Sequence, residues 1–167
     1  MKRFKNNYLT ALAVFLSRFS GLPANVSPMG SFGFFGGNFW LYTALMVGND
    51  LLKGGMYRGF YITYIGFISY YVFGKIARTT KQKILLLPVA SLLFFLISNF
   101  GVWLYWYPRT FEALLRCYTV AVPFYRNTLL GDMAFGYGYL LIKTGCLTQM
   151  KRVFTKMFLN DALYDRS

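Results

Sequence analysis

Six polar residues and one indole stand where a largely apolar chain would be expected to avoid them: Asn25, Ser27, Asp50, Asn99, Asn127 and Asp132, with Trp103 close to Asn99. Amides, a hydroxyl and carboxylates supply hydrogen bonds but no nucleophile beside a base. The chemistry open to them is recognition, the orienting of a small, partly polar ligand between aromatic walls. Ionisable groups in apolar surroundings cost several kcal/mol unless paired, so Asp50 and Asp132 are functional-site hypotheses by default. Arg126 is the expected partner of Asp132, and Lys53 or Arg58 that of Asp50. The alternative reading is that these pairs and amides only lock helices together.

Catalysis finds less support. The chain has no histidine, which removes the commonest metal ligand and proton shuttle. Cys117 and Cys146 form no C-x-x-C and have no other ligands beside them, so neither a metal nor any other cofactor is expected. Spacing alone leaves a disulfide between them open. An enzyme would have Cys117 as its one nucleophile, with Arg116 the only evident neighbour able to lower its pKa. The expectation is that the protein is not an enzyme.

The elements that must position these residues follow from composition. At 167 residues, 56% hydrophobic and only 14% charged, the chain suits a single domain too apolar for a soluble fold of this size. The expected class is all-α, an integral membrane helical bundle. Its clearest stretch is Ile84 to Trp106, with no formal charge, Lys81 and Lys83 below and Trp103, Tyr105, Trp106 and Tyr107 above. Roughly 20 apolar residues at about 1.5 Å each cross a hydrocarbon core of about 30 Å, so this stretch spans. Asn99 within it needs a hydrogen-bond partner that lipid cannot supply. The net charge of +13 comes from cations clustered between apolar runs, which points to membrane topology and anionic headgroups rather than to nucleic acid.

Along the chain, the basic-then-apolar start fits either a cleaved secretory signal or an uncleaved short helix over about 7–19. Arg18 and the lack of a small-x-small cleavage site favour the helix. GLPANVSP at 21–28 is a breaker. Gly30, Gly33, Gly36 and Gly37 follow at three- and four-residue spacings that let helix backbones approach closely in lipid; a glycine-rich loop is the competing reading. Ala13 and Ser17 repeat the small-x-x-x-small spacing on the first segment. Further segments are expected at about 39–52, 59–74, 84–106 and 124–146, with an interfacial helix over Thr110 to Pro123. The domain covers residues 1–148, and 149–167 form a basic amphipathic tail.

Charge then sets topology. If residues 7–52 make three short or broken passes, Lys2, Arg3, Lys5, the Lys75 to Lys83 group and the basic tail all face the cytoplasm. That gives about six membrane segments, the first three short or broken, with both termini cytoplasmic. It also gathers Asn25, Ser27, Asp50, Asn99, Asn127 and Asp132 toward the external mouth of the bundle.

The strings NVSPMGSFGFFGG at 25–37, NDLL at 49–52 and SNFGVWLYWYPRTFEALLRCYTVAVPFYRNTLLGD at 98–132 resemble a family of small, uncharacterised bacterial polytopic membrane proteins. Members of that family read N-x-S-P-x-G, S-D-L, S-N-F-G-V-W, C-Y, P-F-x-x-N and G-D in this order. The resemblance covers roughly residues 21–132. It departs at Asn49-Asp50-Leu51, in place of S-D-L, and in a shorter third segment. The architecture is similar to that of the S components of energy-coupling-factor transporters, and this implies a membrane-embedded substrate-binding component of a vitamin-like small-molecule transporter. A structural or assembly subunit of a larger membrane complex is the alternative. The implied partners are the lipid bilayer, a small-molecule ligand and a membrane partner protein or transport motor, in a bacterial-type inner membrane.

Overall fold

The computed structural model describes residues 2–17, 19–36 and 38–145, with side chains from Tyr8 onward. Among the described residues six helices follow one another: α1 (Lys2–Ser17), α2 (Met29–Gly36), α3 (Phe39–Leu52), α4 (Phe60–Ile76), α5 (Thr80–Trp106) and α6 (Phe111–Lys143). The described residues contain no strand. Short polar side chains start the helices at fixed points. Asn38 Oδ1 accepts from the Leu41 amide at 3.1 Å, and Thr110 Oγ1 accepts from the Ala113 amide at 3.2 Å. Thr79 and Gln82 form a reciprocal capping box, so α5 starts four residues before the apolar run and takes Lys81 and Lys83 into its first turns.

α4, α5 and α6 are consecutive antiparallel neighbours, joined by the short connections 77–79 and 107–110. α3 runs antiparallel to α4: the Phe39 ring meets Tyr71 at 5.2 Å, Tyr42 meets Phe67 at 6.2 Å, and Asp50 reaches Tyr64. α2 runs parallel to α4, with Gly30 beside Tyr70 and Phe34 beside Gly74. Although only eight residues long, α2 touches all five other helices and buries everything from Met29 to Phe34. It is the hub of the bundle.

Among the described residues one helix, α5, is long and apolar enough to cross a membrane. At about 1.5 Å per residue it measures about 40 Å, and Leu85, Val89, Leu92, Leu96 and Phe100 point away from the bundle. Its Pro88 cannot donate to the Ile84 carbonyl, and the Tyr137 hydroxyl on α6 donates to that oxygen at 2.9 Å instead.

Two expectations are corrected. The interfacial helix over Thr110 to Pro123 and the segment 124–146 are a single helix, α6, running through Pro123. Pro123 is tolerated because it sits on the exposed side, where its ring and the lost hydrogen bond disturb no packing. Among the short or broken passes expected over 7–52, α2 is the shortest, its eight residues reaching only about 12 Å. The first helix occupies 2–17 rather than 7–19, and Phe19 to Gly21 form a turn. Gly37, Cys146 and the tail at 149–167 lie outside the described residues.

Candidate functional site

Glycines make the room in which the polar residues meet. A Cβ on Gly30 of α2 would occupy the space of the Tyr70 ring and the Asp132 carboxyl. A Cβ on Gly131 of α6 would stand 3.0 Å from the Ser27 nitrogen and 3.3 Å from the Val26 Cα, so the 21–28 breaker can lie against α6 only because that side chain is missing. The Asn127 amide holds the same loop by donating to the Ala24 carbonyl at 3.0 Å. Asn25 takes a left-handed φ of 65°, which asparagine tolerates better than most residues. The loop therefore turns into the bundle, carrying Ser27 and Pro28 with it.

Within that space Asp132, only 1% exposed, accepts a hydrogen bond from the equally buried Tyr70 hydroxyl. Ser31 Oγ donates to the Asp132 main-chain carbonyl at 2.8 Å. The Ser91 side chain on α5, fully buried, stands beside the carboxyl and the phenol. Arg126 is exposed and does not partner Asp132, which corrects the expected pairing. The pair also lies deeper than expected. Tyr70 packs on Phe94, near the middle of α5, because α6 starts at Phe111 and Asp132 falls two-thirds of the way along it.

A second carboxyl sits nearer the connection between α3 and α4. Asp50 Oδ2 accepts from the Tyr64 hydroxyl at 2.8 Å. The guanidinium of Arg58, one of its expected partners, lies instead 5.4 Å from the centre of the Tyr105 ring. Beside Asp50, Asn49 is 4% exposed; its amide donates to the Leu45 carbonyl at 2.8 Å, while its Oδ1 has no partner. At the rim, Tyr57 donates to Thr63 Oγ1 at 2.6 Å. Burial raises the Tyr57 phenol above its ordinary value, with the Thr63 hydrogen bond opposing and the Asp50 charge adding, so it stays neutral at physiological pH.

Asn25, Ser27, Asn49, Asp50 and Asp132 line one cavity of about 250 Å³, whose walls include Tyr57, Tyr64, Phe67, Tyr70 and Phe94. Asn99 lines a neighbouring chamber of about 330 Å³, and the two share Asn25, Phe94 and Thr128. The Asn99 amide finds its partner on its own helix, the Phe95 carbonyl at 2.8 Å. Trp103 lines neither chamber: its ring packs on Phe100 at 5.3 Å and its buried Nε1 has no partner. Asn127 clamps the loop and lines neither chamber. Cys117, buried between α5 and α6, donates from Sγ to the Asn99 carbonyl at 3.6 Å.

Of the small residues singled out for helix packing, Gly30 faces Tyr70 and Asp132, and Gly33 faces the Tyr42 ring. Ala13 is exposed, whereas Ala11 and Val14 form the packed face of α1; Ser17 bonds back to the Val14 carbonyl at 2.6 Å. Their four-residue spacing therefore marks no contact within the bundle. Sequence reasoning passed over Asn49, Tyr64, Tyr70 and Ser91. The adjacent Asn49-Asp50 could have drawn notice to Asn49. Nothing separates Tyr70 from its aromatic neighbours until α2 and α6 are packed against it.

Fold and site together define an all-helical bundle with a polar, aromatic-walled cavity at its core. The chain belongs to a family of unknown function, DUF6580, whose model matches residues 2–154. No curated protein and no solved structure shows significant similarity to it.

Proposed function

We propose that this protein is an integral protein of a bacterial-type inner membrane that binds a small molecule in the cavity beneath Asn25 and Tyr57, as the substrate-binding component of a transporter. The observation that carries this reading is Asn49 Oδ1, a buried acceptor without a partner on the wall of that cavity. An orphaned buried acceptor costs about 1–3 kcal/mol, which a ligand's N–H or O–H would recover. Asp50 and Asp132 add acceptors, while Tyr64, Phe67, Tyr70 and Phe94 offer ring faces. The ligand is then compact, with donor groups and an apolar or cationic body. Support for the membrane reading comes from α5, whose apolar residues lie mostly on the outside, unlike those of a soluble core helix.

The end of the bundle carrying Lys75, Arg78, Lys81, Lys83 and Lys143 then faces the cytoplasm, and the cavity opens to the other side. Transport requires the ligand to favour one helix arrangement over another. Energy would come from a partner protein, since the chain carries no nucleotide-binding motif.

Native mass spectrometry of the gently purified protein tests this. A small molecule should accompany the full-length chain and raise its thermal midpoint. Asn49→Leu and Asp132→Asn should each weaken its retention about tenfold or more, the loss of about 1.4 kcal/mol or more. Trp103→Phe, outside both chambers, should leave it unchanged. Folded variants that keep the molecule as well as the parent would refute the assignment.

A second reading, an assembly subunit, has its own observation. An apolar groove of about 630 Å³ runs between α1, α2 and α6, lined by Leu9, Val14, Phe32, Phe35, Phe135 and Tyr139. A helix of a partner subunit could fill it. Copurification of a stoichiometric protein, lost on Gly138→Trp within the groove, would favour this role.

A further inference from the structure

Several hydroxyl hydrogens on the wall of the cavity that holds Asp50 and Asp132 are already committed to the protein itself. Tyr64 gives its hydrogen to Asp50, Tyr70 gives its own to Asp132, and Tyr57 donates to Thr63 Oγ1 at the rim. Thr128 donates to the Phe124 carbonyl at 3.1 Å. A phenol or an alcohol has one hydrogen, so what these four groups keep for a ligand is lone pairs. Asn49 adds another acceptor. Its bond to the Leu45 carbonyl, which can only accept, fixes which end of the amide is nitrogen and leaves the oxygen, on a side chain 4% exposed, as the atom that needs a donor.

Rings and charge favour the same kind of occupant. Phe67 and Phe94 line the cavity with ring centres 4.4 Å apart, and Tyr70 joins them 5.8 Å from Phe94; the face of such a ring carries partial negative charge. Asp50 and Asp132 lie on the same wall, and the described residues that line it include no Lys or Arg. A carboxylate or phosphate ligand would set its own oxygens against these lone pairs. A quaternary ammonium would suit the rings but would bring no N–H to Asn49.

We propose, resting on the binding role of this cavity, that its ligand is a small organic cation bearing an ammonium group with N–H donors. The ammonium hydrogens go to Asn49 Oδ1 and to the carboxyl of the adjacent Asp50, as charge-assisted hydrogen bonds. The body of the cation lies against Phe67, Tyr70 and Phe94, whose rings stabilise positive charge. The volume of about 250 Å³ falls below the range of roughly 300–1,000 Å³ that drug-sized ligands occupy, so that body is no larger than a single ring or a short chain.

The test uses the full-length chain in nanodiscs of phosphatidylcholine, which has no net charge to attract amines, and reads thermal unfolding at pH 7 with four probes of one shape. Benzylamine should bind about tenfold or more tightly than neutral benzyl alcohol, the contribution of a hydrogen bond to a charged group. Benzoate should give no stabilisation, and benzyltrimethylammonium, which has no N–H, less than benzylamine. Asp50→Asn should weaken benzylamine about tenfold and leave benzyl alcohol unchanged, and Asn49→Leu should weaken benzylamine as well. Glu112→Gln, which removes a carboxyl that does not line the cavity, should change neither. If benzyl alcohol or benzoate binds as tightly as benzylamine, and Asn49→Leu abolishes that binding, the cavity stands and the cation assignment is overturned. An amine preference as large in Asp50→Asn as in the parent overturns it too. So does failure of benzylamine to bind, in which case the cavity is judged by the copurifying molecule alone.

Discussion

Polar atoms in this molecule are placed by what the neighbouring backbone lacks. The Ile84 carbonyl is orphaned by Pro88 and rescued by Tyr137 from another helix, a bond with no equivalent along the sequence. Tyr137→Phe is expected to cost about 1 kcal/mol, the net worth of one such hydrogen bond. Pro88→Ala gives residue 88 an N–H able to satisfy Ile84, so Tyr137→Phe should cost almost nothing in that background. Equal losses in the two backgrounds, measured by thermal unfolding of the purified variants, would rule out the rescue. The Asn99 amide illustrates the same economy by turning to the Phe95 carbonyl one turn back, so it needs no partner from another helix.

Among the elements, α2 shows how a segment too short to hold itself together becomes a hub. Eight residues are well below the length at which an isolated helix is stable, so its conformation depends on burial by its neighbours. Its glycines allow that burial. At Gly74 of α4, an added Cβ would meet Phe34 main-chain atoms, which cannot rotate away. Gly74→Ala should therefore destabilise the bundle by about 1–3 kcal/mol. Gly138 has open space where its Cβ would be, and Gly138→Ala should be neutral or stabilising by up to about 1 kcal/mol through helix propensity. Comparable thermal shifts for the two substitutions would mean that the α2–α4 crossing is not what limits stability. The glycine spacing is legible in the sequence, but the partner of each glycine is not. Spacing fixes the rows on one helix and says nothing about which helix lies across them.

For the whole molecule, charge and cavity separate toward opposite ends. Lys75, Lys83 and Lys143 converge where α4 and α6 finish, whereas Asp50 and Tyr57 lie near the start of α4. In the proposed orientation, a membrane-impermeant maleimide should label Thr110→Cys in intact cells, in a chain freed of its native cysteines. Thr80→Cys should react only after permeabilisation. The reverse pattern would invert the topology and place the cavity mouth in the cytoplasm.

Helix content, the long apolar helix that carries Ile84 to Trp106 and the breaker at 21–28 were all set by the sequence itself. These depend on local hydropathy, turn chemistry and the cost of burying a polar group, which neighbouring residues already define. Tertiary structure decided the pairings. Tyr70 rather than Arg126 meets Asp132, Tyr64 meets Asp50, Asn49 is left with a free acceptor, and Trp103 falls outside both chambers. Such choices depend on the rotation and depth of each helix against its neighbours, and a single helix running unbroken through Pro123 was enough to shift Asp132 from the rim to the middle of the bundle.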